Sequence, residues 1–228
     1  MTPLVLIPGM MCDARMWGTL PAALAPRALH HALPVEGNSI ADMAAAILHA
    51  APARFALAGL SMGGIVAMEM LEQAPDRVER LALMDTNPLA EAPAVRARRA
   101  PQVARAMGGD LDGVMRDEMK PNYLADPSDT ATLDLCMDMA LSLGPDVFRR
   151  QSRALRDRAD RTDTLRRFTG PALVLMGQAD RACPRDRHDL MHALMPHSRL
   201  VIVPGAGHLP PLEQPGPTLA ALQEWLNA

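Results

Sequence analysis

The residues best suited to do chemistry in this chain are a serine with glycines two positions to either side, Gly59-Leu60-Ser61-Met62-Gly63, followed by Gly64. They stand between the apolar run Phe55-Ala56-Leu57-Ala58 and the segment Ile65 to Leu71, a pattern that predicts a strand, a tight turn and a helix. In a G-x-S-x-G turn the serine adopts a strained backbone conformation, and glycine is required where any Cβ would collide with the turn or the helix. Such a turn lifts the Ser61 hydroxyl above the sheet edge and leaves the Met62 N–H where an oxyanion would form. A serine hydroxyl is a poor nucleophile at neutral pH, so it needs a base that titrates near that pH, which points to a histidine. His208, in Gly205-Ala206-Gly207-His208, can take the proton. Asp180, in Gly177-Gln178-Ala179-Asp180, can hold the imidazole in the productive tautomer and stabilise the imidazolium.

Those turns need a scaffold, and the rest of the chain alternates strand and helix signals. Leu4 to Ile7 is an apolar strand ended by Pro8-Gly9, and Asp13 can cap a helix carrying Met16, Trp17, Leu20 and Leu24 up to Pro26. A weaker strand is expected around Ala28 to Leu33. Ser39 and Asp42 then resemble a capping box before the apolar face Ile40, Met43, Ala44, Ile47 and Leu48. The helix after Ser61 runs to about Gln73, stopping before Pro75, and Val78 to Met84 is the next strand. Alternation of this kind implies a parallel sheet with helices on both faces. It breaks between Pro88 and Phe168, where the apolar spacing is helical, as in Leu133, Met137, Ala140 and Leu141, and no strand is evident. Residues 88–168 are therefore expected to form an all-helical cap inserted into an α/β core made of 1–87 and 169–228. In the second part of the core, strands are expected at Ala172 to Met176 and Leu200 to Val203, with helices at Arg185 to Leu194 and Leu219 to Trp225. Asp180 and His208 both follow strands, on the same sheet edge as Ser61.

The order Ser61, Asp180, His208 on a strand-alternating chain, with the serine in its glycine-flanked turn, resembles the α/β-hydrolase superfamily. The resemblance extends over nearly the whole chain, including Glu213 and Pro215 behind the histidine. It implies an α/β fold with a mostly parallel sheet and a helical cap, and a cofactor-free hydrolase that cleaves a carboxylic ester through an acyl-enzyme. It also implies a second oxyanion donor from the loop after the first strand, here Pro8-Gly9-Met10-Met11, where family members often carry His-Gly. A backbone N–H survives the exchange of histidine for proline; Met10 is the first choice and Met11 the alternative. Some family members place the triad acid after an earlier strand, which makes Asp85 in Met84-Asp85-Thr86-Asn87 the rival of Asp180. The superfamily reuses this triad for thioester cleavage on acyl-carrier or coenzyme A substrates and for carbon–carbon bond cleavage or elimination. The fold also serves as a non-catalytic ligand receptor, against which the three intact residues argue.

Composition narrows the class further. The chain has 228 residues, 49% of them hydrophobic and 21% charged, so one domain with a sizeable core is expected. A net charge of −3 gives no electrostatic footprint for nucleic acid or an anionic membrane. No apolar run reaches membrane-spanning length, and the N-terminus lacks the features of a signal peptide. Cys12, Cys136 and Cys183 are an odd number without framework spacing, which implies reduced thiols and a cytoplasmic location. His188 and His192 stand four apart like a zinc motif, but Asp189 lies between them in place of a general-base glutamate and no third ligand is evident, so no metal is expected. Met107, Met115, Met119, Met137 and Met139 could line a pliable acyl pocket. Met11, Tyr123 and Met137 are the named substrate-binding candidates. Pro145 to Arg167 holds eight arginines against four aspartates, with Arg149, Arg153 and Arg156 on one helical stripe. Either this is a solvated face or it docks an acidic acyl carrier.

Overall fold

The computed structural model describes residues 1–228. Six parallel strands form one sheet in the order β2-β1-β3-β4-β5-β6: β1 Leu4–Ile7, β2 Leu29–His31, β3 Phe55–Leu60, β4 Val78–Met84, β5 Ala172–Gly177 and β6 Arg199–Val203. β1, β3 and β5 are buried along their whole length, which is why they read as unbroken apolar runs. Successive side chains feed opposite layers. Val5, Ile7, Leu57, Leu83 and Val174 pack into one core, and Leu4, Leu6, Ala56, Ala58, Met84 and Leu175 into the other.

The first layer is closed by helices α1 Ile40–Ala50 and α2 Met62–Gln73. Between β4 and β5 every regular element is helical: the longer ones are α3 Pro93–Arg105, α4 Thr130–Arg156 and α5 Thr162–Arg167. α4 is two helices in fact, parted at Gly144 (φ 79°, ψ 173°) just before Pro145. After β5, α6 Arg185–Leu194 and α7 Pro215–Asn227 complete the chain. α7 covers the second core with Leu222 and Trp225.

Three local expectations differ from the structure. The helix expected from Asp13 to Pro26 is a short 3₁₀ turn, Ala14–Trp17, and a separate single turn, Leu20–Ala23, because Gly18 sits between them at φ 52°. Ser39 does accept the Asp42 N–H (3.0 Å), but the Asp42 carboxylate accepts from Asn38 and not from Ser39, so half of the capping box forms. The helix expected at Leu219 to Trp225 is longer at both ends. It begins with Pro215 in its first turn, where proline's fixed φ and missing N–H cost nothing.

β1 leads to β2 on one side, and the chain then crosses to β3 on the other, so the sheet reverses its winding between β1 and β3. The crevice at such a reversal, beyond the carboxyl ends of the strands, is where open α/β sheets bind ligands. The loop carrying Gly9 and Met10 and the turn carrying Ser61 flank that crevice.

Candidate active site

Ser61 is the residue between β3 and α2, and its backbone lies at φ 55°, ψ −119°, a region that L-residues avoid. The turn is held by the Ser61 N–H to Met84 O (2.8 Å) and by the Thr86 hydroxyl to Ser61 O (2.7 Å). A Cβ on Gly59 would overlap the Gly63 carbonyl, and one on Gly63 would overlap the carbonyl of Ile7, so both positions demand glycine.

His208 Nε2 lies 2.9 Å from Ser61 Oγ, and its Nδ1 lies 3.0 Å from each oxygen of Asp180. His208 and Asp180 are buried at 5% and 7% exposure. Burial opposes ionisation of Asp180, but His208 and the N–H groups of Ala182 and Cys183 outweigh it and hold the carboxyl below its ordinary range. The histidine loop is itself anchored. Glu213 accepts the N–H groups of Gly207 (2.9 Å), Leu209 (2.9 Å) and Ala125 (2.7 Å), and the His208 N–H donates to Tyr123 O at 2.6 Å.

Asp85 is at the end of β4, behind the triad. Its Oδ1 accepts the Gly177 N–H (2.8 Å), while Oδ2 is buried without a partner. Burial first, and the neighbouring Asp180 second, push this carboxyl well above its ordinary range, so both favour the neutral form of Asp85. The structure therefore brings Asp180, and not Asp85, to the histidine ring. His188 is also buried here. Its Nδ1 faces Pro184 O (3.3 Å), its Nε2 is unpartnered, and burial pushes its pKa down to about 4.

The loop after β1 presents two candidate oxyanion donors. The Met11 N–H is taken by Gln151 Oε1 at 2.9 Å, and Gln151 Nε2 reaches Pro34 O at 3.0 Å. That leaves Met10, whose N–H makes no hydrogen bond within the chain. Met62 is the first residue of α2, so its N–H has no intrahelical acceptor. Gln151 is the residue that the sequence reading missed, because nothing in its arginine-rich helical stretch marks it as buried.

A cavity of about 760 Å³ opens over Ser61, lined among others by Met10, Met62, Met119, Tyr123 and His208. Tyr123 faces it with its ring 6.0 Å from that of His208. Met11 and Met137 do not line the cavity: Met11 is wholly buried in the core at φ 56°, and Met137 packs against that core from the cap. Met115 and Met139 are core residues too, and Met107 is half exposed. Arg149 pairs with Asp146 and Arg156 with Asp157, whereas Arg153 is exposed and has no ion pair.

Two clusters have ligand atoms close enough for a metal, Asp180/Cys183/His208 and Asp85/Asp180/His188. Both reuse Asp180, whose oxygens already accept His208 and two backbone N–H groups. Burial also pushes the Cys183 thiol well up, and a thiol must lose its proton to ligate. His192 is turned to Ser198 Oγ (2.8 Å), away from His188's partners.

A parallel sheet with a strained serine at its winding reversal, and a histidine–aspartate pair on two later loops of the same edge, defines a serine hydrolase. The sequence model of the Alpha/beta hydrolase family matches residues 4–222, and the chain belongs to that family. Pimeloyl-(acyl-carrier protein) methyl ester esterase from Pectobacterium carotovorum is 26% identical over 94% of this chain and 90% of that protein. The enzyme of the same name from Edwardsiella ictaluri is 27% identical over 98% and 93%. A thermophilic esterase from Thermogutta terrifontis superposes with a TM-score of 0.90 at 28% identity, covering 100% of this chain and 90% of that one. An enol-lactonase from Burkholderia xenovorans, at 20% identity over 100% and 92%, shares the fold with a TM-score of 0.87. The chain is a carboxylic ester hydrolase of the serine type. No helix is long and apolar enough to cross a membrane.

Proposed function

We propose that Ser61 is the nucleophile, His208 the general base and Asp180 the acid of the triad, with the Met10 and Met62 N–H groups as the oxyanion hole. His208 Nε2 takes the hydroxyl proton as Ser61 Oγ attacks the ester carbonyl, and the tetrahedral oxyanion forms against the two N–H groups. Collapse expels the alcohol with the proton that His208 returns, leaving an acyl-enzyme. Water then repeats the sequence, with His208 as base and Ser61 as leaving group. Asp180 stays ionised throughout and stabilises the imidazolium. The observation that carries this reading is the unbroken contact chain from Ser61 Oγ through His208 to Asp180, 2.9 and then 3.0 Å. A fluorophosphonate probe should label wild type at Ser61 and leave Ser61→Ala unlabelled; labelling elsewhere with full ester turnover in the variant would sink the assignment.

Residues 88–168 act as the cap and 1–87 with 169–228 as the hydrolase core in this reading. The cavity supports it, since residues of both line it. The finer partner reading is an acidic acyl carrier docking on Arg149, Arg153 and Arg156, supported by the names of the relatives that act on carrier-bound esters. Only Arg153 is without an ion pair, so it is the residue on which docking turns. The three free thiols support a cytoplasmic location.

A further inference from the structure

The wall of the cavity over Ser61 holds an unbalanced charge. Glu91 sets its carboxylate between two guanidinium groups: Arg99 donates to Oε2 from Nε (2.9 Å) and Nη2 (2.8 Å), and Arg158 donates to Oε1 from Nη1 (2.5 Å). All three residues line the cavity, and their side chains are only 5% to 11% exposed. Two cations face one anion, which leaves this buried triplet with one positive charge. Arg158 Nε is satisfied by Leu89 O at 2.9 Å, but its Nη2 has no acceptor in the chain. Arg99 Nη1 has only the Met10 sulfur at 3.5 Å, a weak acceptor.

Neither of the other two acids of the cavity, Glu118 and Asp160, makes an ion pair with Arg99 or Arg158. Glu118 is held by Arg105 and Gln102, and Asp160 accepts the N–H and hydroxyl of Thr162. The remaining charged residues of the lining, Arg98, Arg181 and Arg187, add positive charge, and only Arg187 has an acidic neighbour, Asp186 at 3.7 Å. A buried charge without a counterion is costly, and burial holds Arg99 below its ordinary range against the pull of Glu91.

We propose that Arg99 and Arg158 form a carboxylate-binding subsite, so that the substrate carries a free carboxylate in addition to the ester that is cleaved. The carboxylate takes the unmatched donors Arg99 Nη1 and Arg158 Nη2 and neutralises the surplus charge. Two guanidinium groups suit a planar carboxylate, and the single surplus charge of the Arg99–Glu91–Arg158 triplet matches its single negative charge. Arg99 touches the side chain of Met10, whose N–H is assigned above to the oxyanion hole, so the subsite stands one side chain from the reacting carbonyl. Glu91 has a second role here: it keeps the two cations apart and fixes their forks while leaving one charge for the substrate.

The inference rests on the triad assignment, and a panel of three esters separates the two. Methyl hexanoate is neutral, monomethyl adipate carries its carboxylate on the acyl side, and butanoyl glycolate carries it on the alcohol side. In wild type one of the two anionic esters should exceed the neutral one in kcat/KM by at least about tenfold, the size of one charge-assisted hydrogen bond. Which of the two does so tells the side on which the carboxylate lies. Arg99→Met and Arg158→Met should reduce that ratio through KM, and Arg99→Lys should retain part of it. Glu91→Gln, nearly isosteric, removes the competing anion and should raise the ratio. An ion-pair cluster with a purely structural role predicts lower thermal stability in all four variants and no change in the ratio. Equal kcat/KM for the neutral and both anionic esters in wild type overturns the subsite and leaves the triad standing. Failure to hydrolyse any of the three overturns both.

Discussion

At the carboxyl edge of the sheet the reacting groups are positioned by backbone; in the cavity wall above it the charged groups are positioned by one another. Ser61 is held at φ 55° by hydrogen bonds to and from its own peptide groups, and the His208 loop is tied through the N–H groups of Gly207 and Leu209. Arg99 and Arg158 meet at Glu91, a side chain that is 67 residues away from Arg158 in sequence, with Leu89 O as a further hold on Arg158. The first arrangement suits chemistry, where an error of a fraction of an ångström is expensive in rate. The second suits selection among substrates, because a change of one charge alters preference without moving the nucleophile.

That contrast can be broken most severely at Ser61. Replacing it with alanine should lower turnover by up to about a million-fold, as in dissected serine triads, while circular dichroism and thermal unfolding stay close to wild type. Wild-type rates in the pure variant would place the nucleophile elsewhere. Asp180→Asn comes next, at about 10⁴-fold in kcat, because an amide offers His208 the wrong tautomer partner. Gln151→Leu removes the support of the oxyanion loop but neither donor. We expect about tenfold to a hundredfold in kcat, less than the roughly 10²–10³ of losing a donor outright, with fluorophosphonate labelling retained. An unchanged kcat would show that the strained Met11 backbone holds itself.

In the cap the effects should be smaller and depend on substrate. Arg153→Glu combined with Arg149→Glu should slow an acyl-carrier ester about several-fold in kcat/KM and spare a short neutral ester, with the difference fading as salt rises past the roughly 10 Å screening length of 0.1 M. Equal slowing of both substrates, indifferent to salt, would assign the stripe to surface structure.

The smallest effect on rate is expected at Asp85→Asn, since asparagine imitates the neutral carboxyl that burial favours. Stability should respond more. A carboxyl raised in the folded state is protonated there while the unfolded chain ionises at about 3.9, so its contribution declines as pH climbs above that value. The asparagine variant lacks this decline, and its Tm advantage over wild type should grow as pH rises above about 4, at about 2–4 °C per kcal/mol for a chain of this size. Asp180, lowered in the folded state, loses its contribution only as pH falls below about 4, outside that window. A Tm difference that is flat across pH would mean that Asp85 is ionised.

What could be read from the sequence follows the same division. The glycines around Ser61, the turns holding Asp180 and His208 and the alternation of strands are local patterns, because each records a backbone need met within a few residues. The break at Gly18 escaped because a positive φ leaves no mark on apolar spacing. Gln151 reaches Met11 across 140 residues, and Glu91 reaches Arg158 across 67, so neither partner is visible from the other's neighbourhood. Among eight arginines in one stretch, nothing local distinguishes Arg158, which turns into the cavity, from Arg156, which pairs with Asp157 at the surface. The apolarity of Met11 and Met137 suits core and pocket equally well, so residue type alone does not place them in the cavity.

The stitching around Glu213 has a consequence for how such enzymes can be recombined. Tyr123 and Ala125 belong to the helical insertion, yet Tyr123 O receives the His208 N–H and Ala125 N–H shares the Glu213 carboxylate with Gly207 and Leu209. A chimaera that exchanged the whole of 88–168 for the insertion of another hydrolase would remove one wall of the histidine's own socket. Grafting should work better if the seams are cut on either side of 123–125 and that tripeptide is kept with the recipient, so that the foreign helices bring a new cavity while the imidazole keeps its bearings.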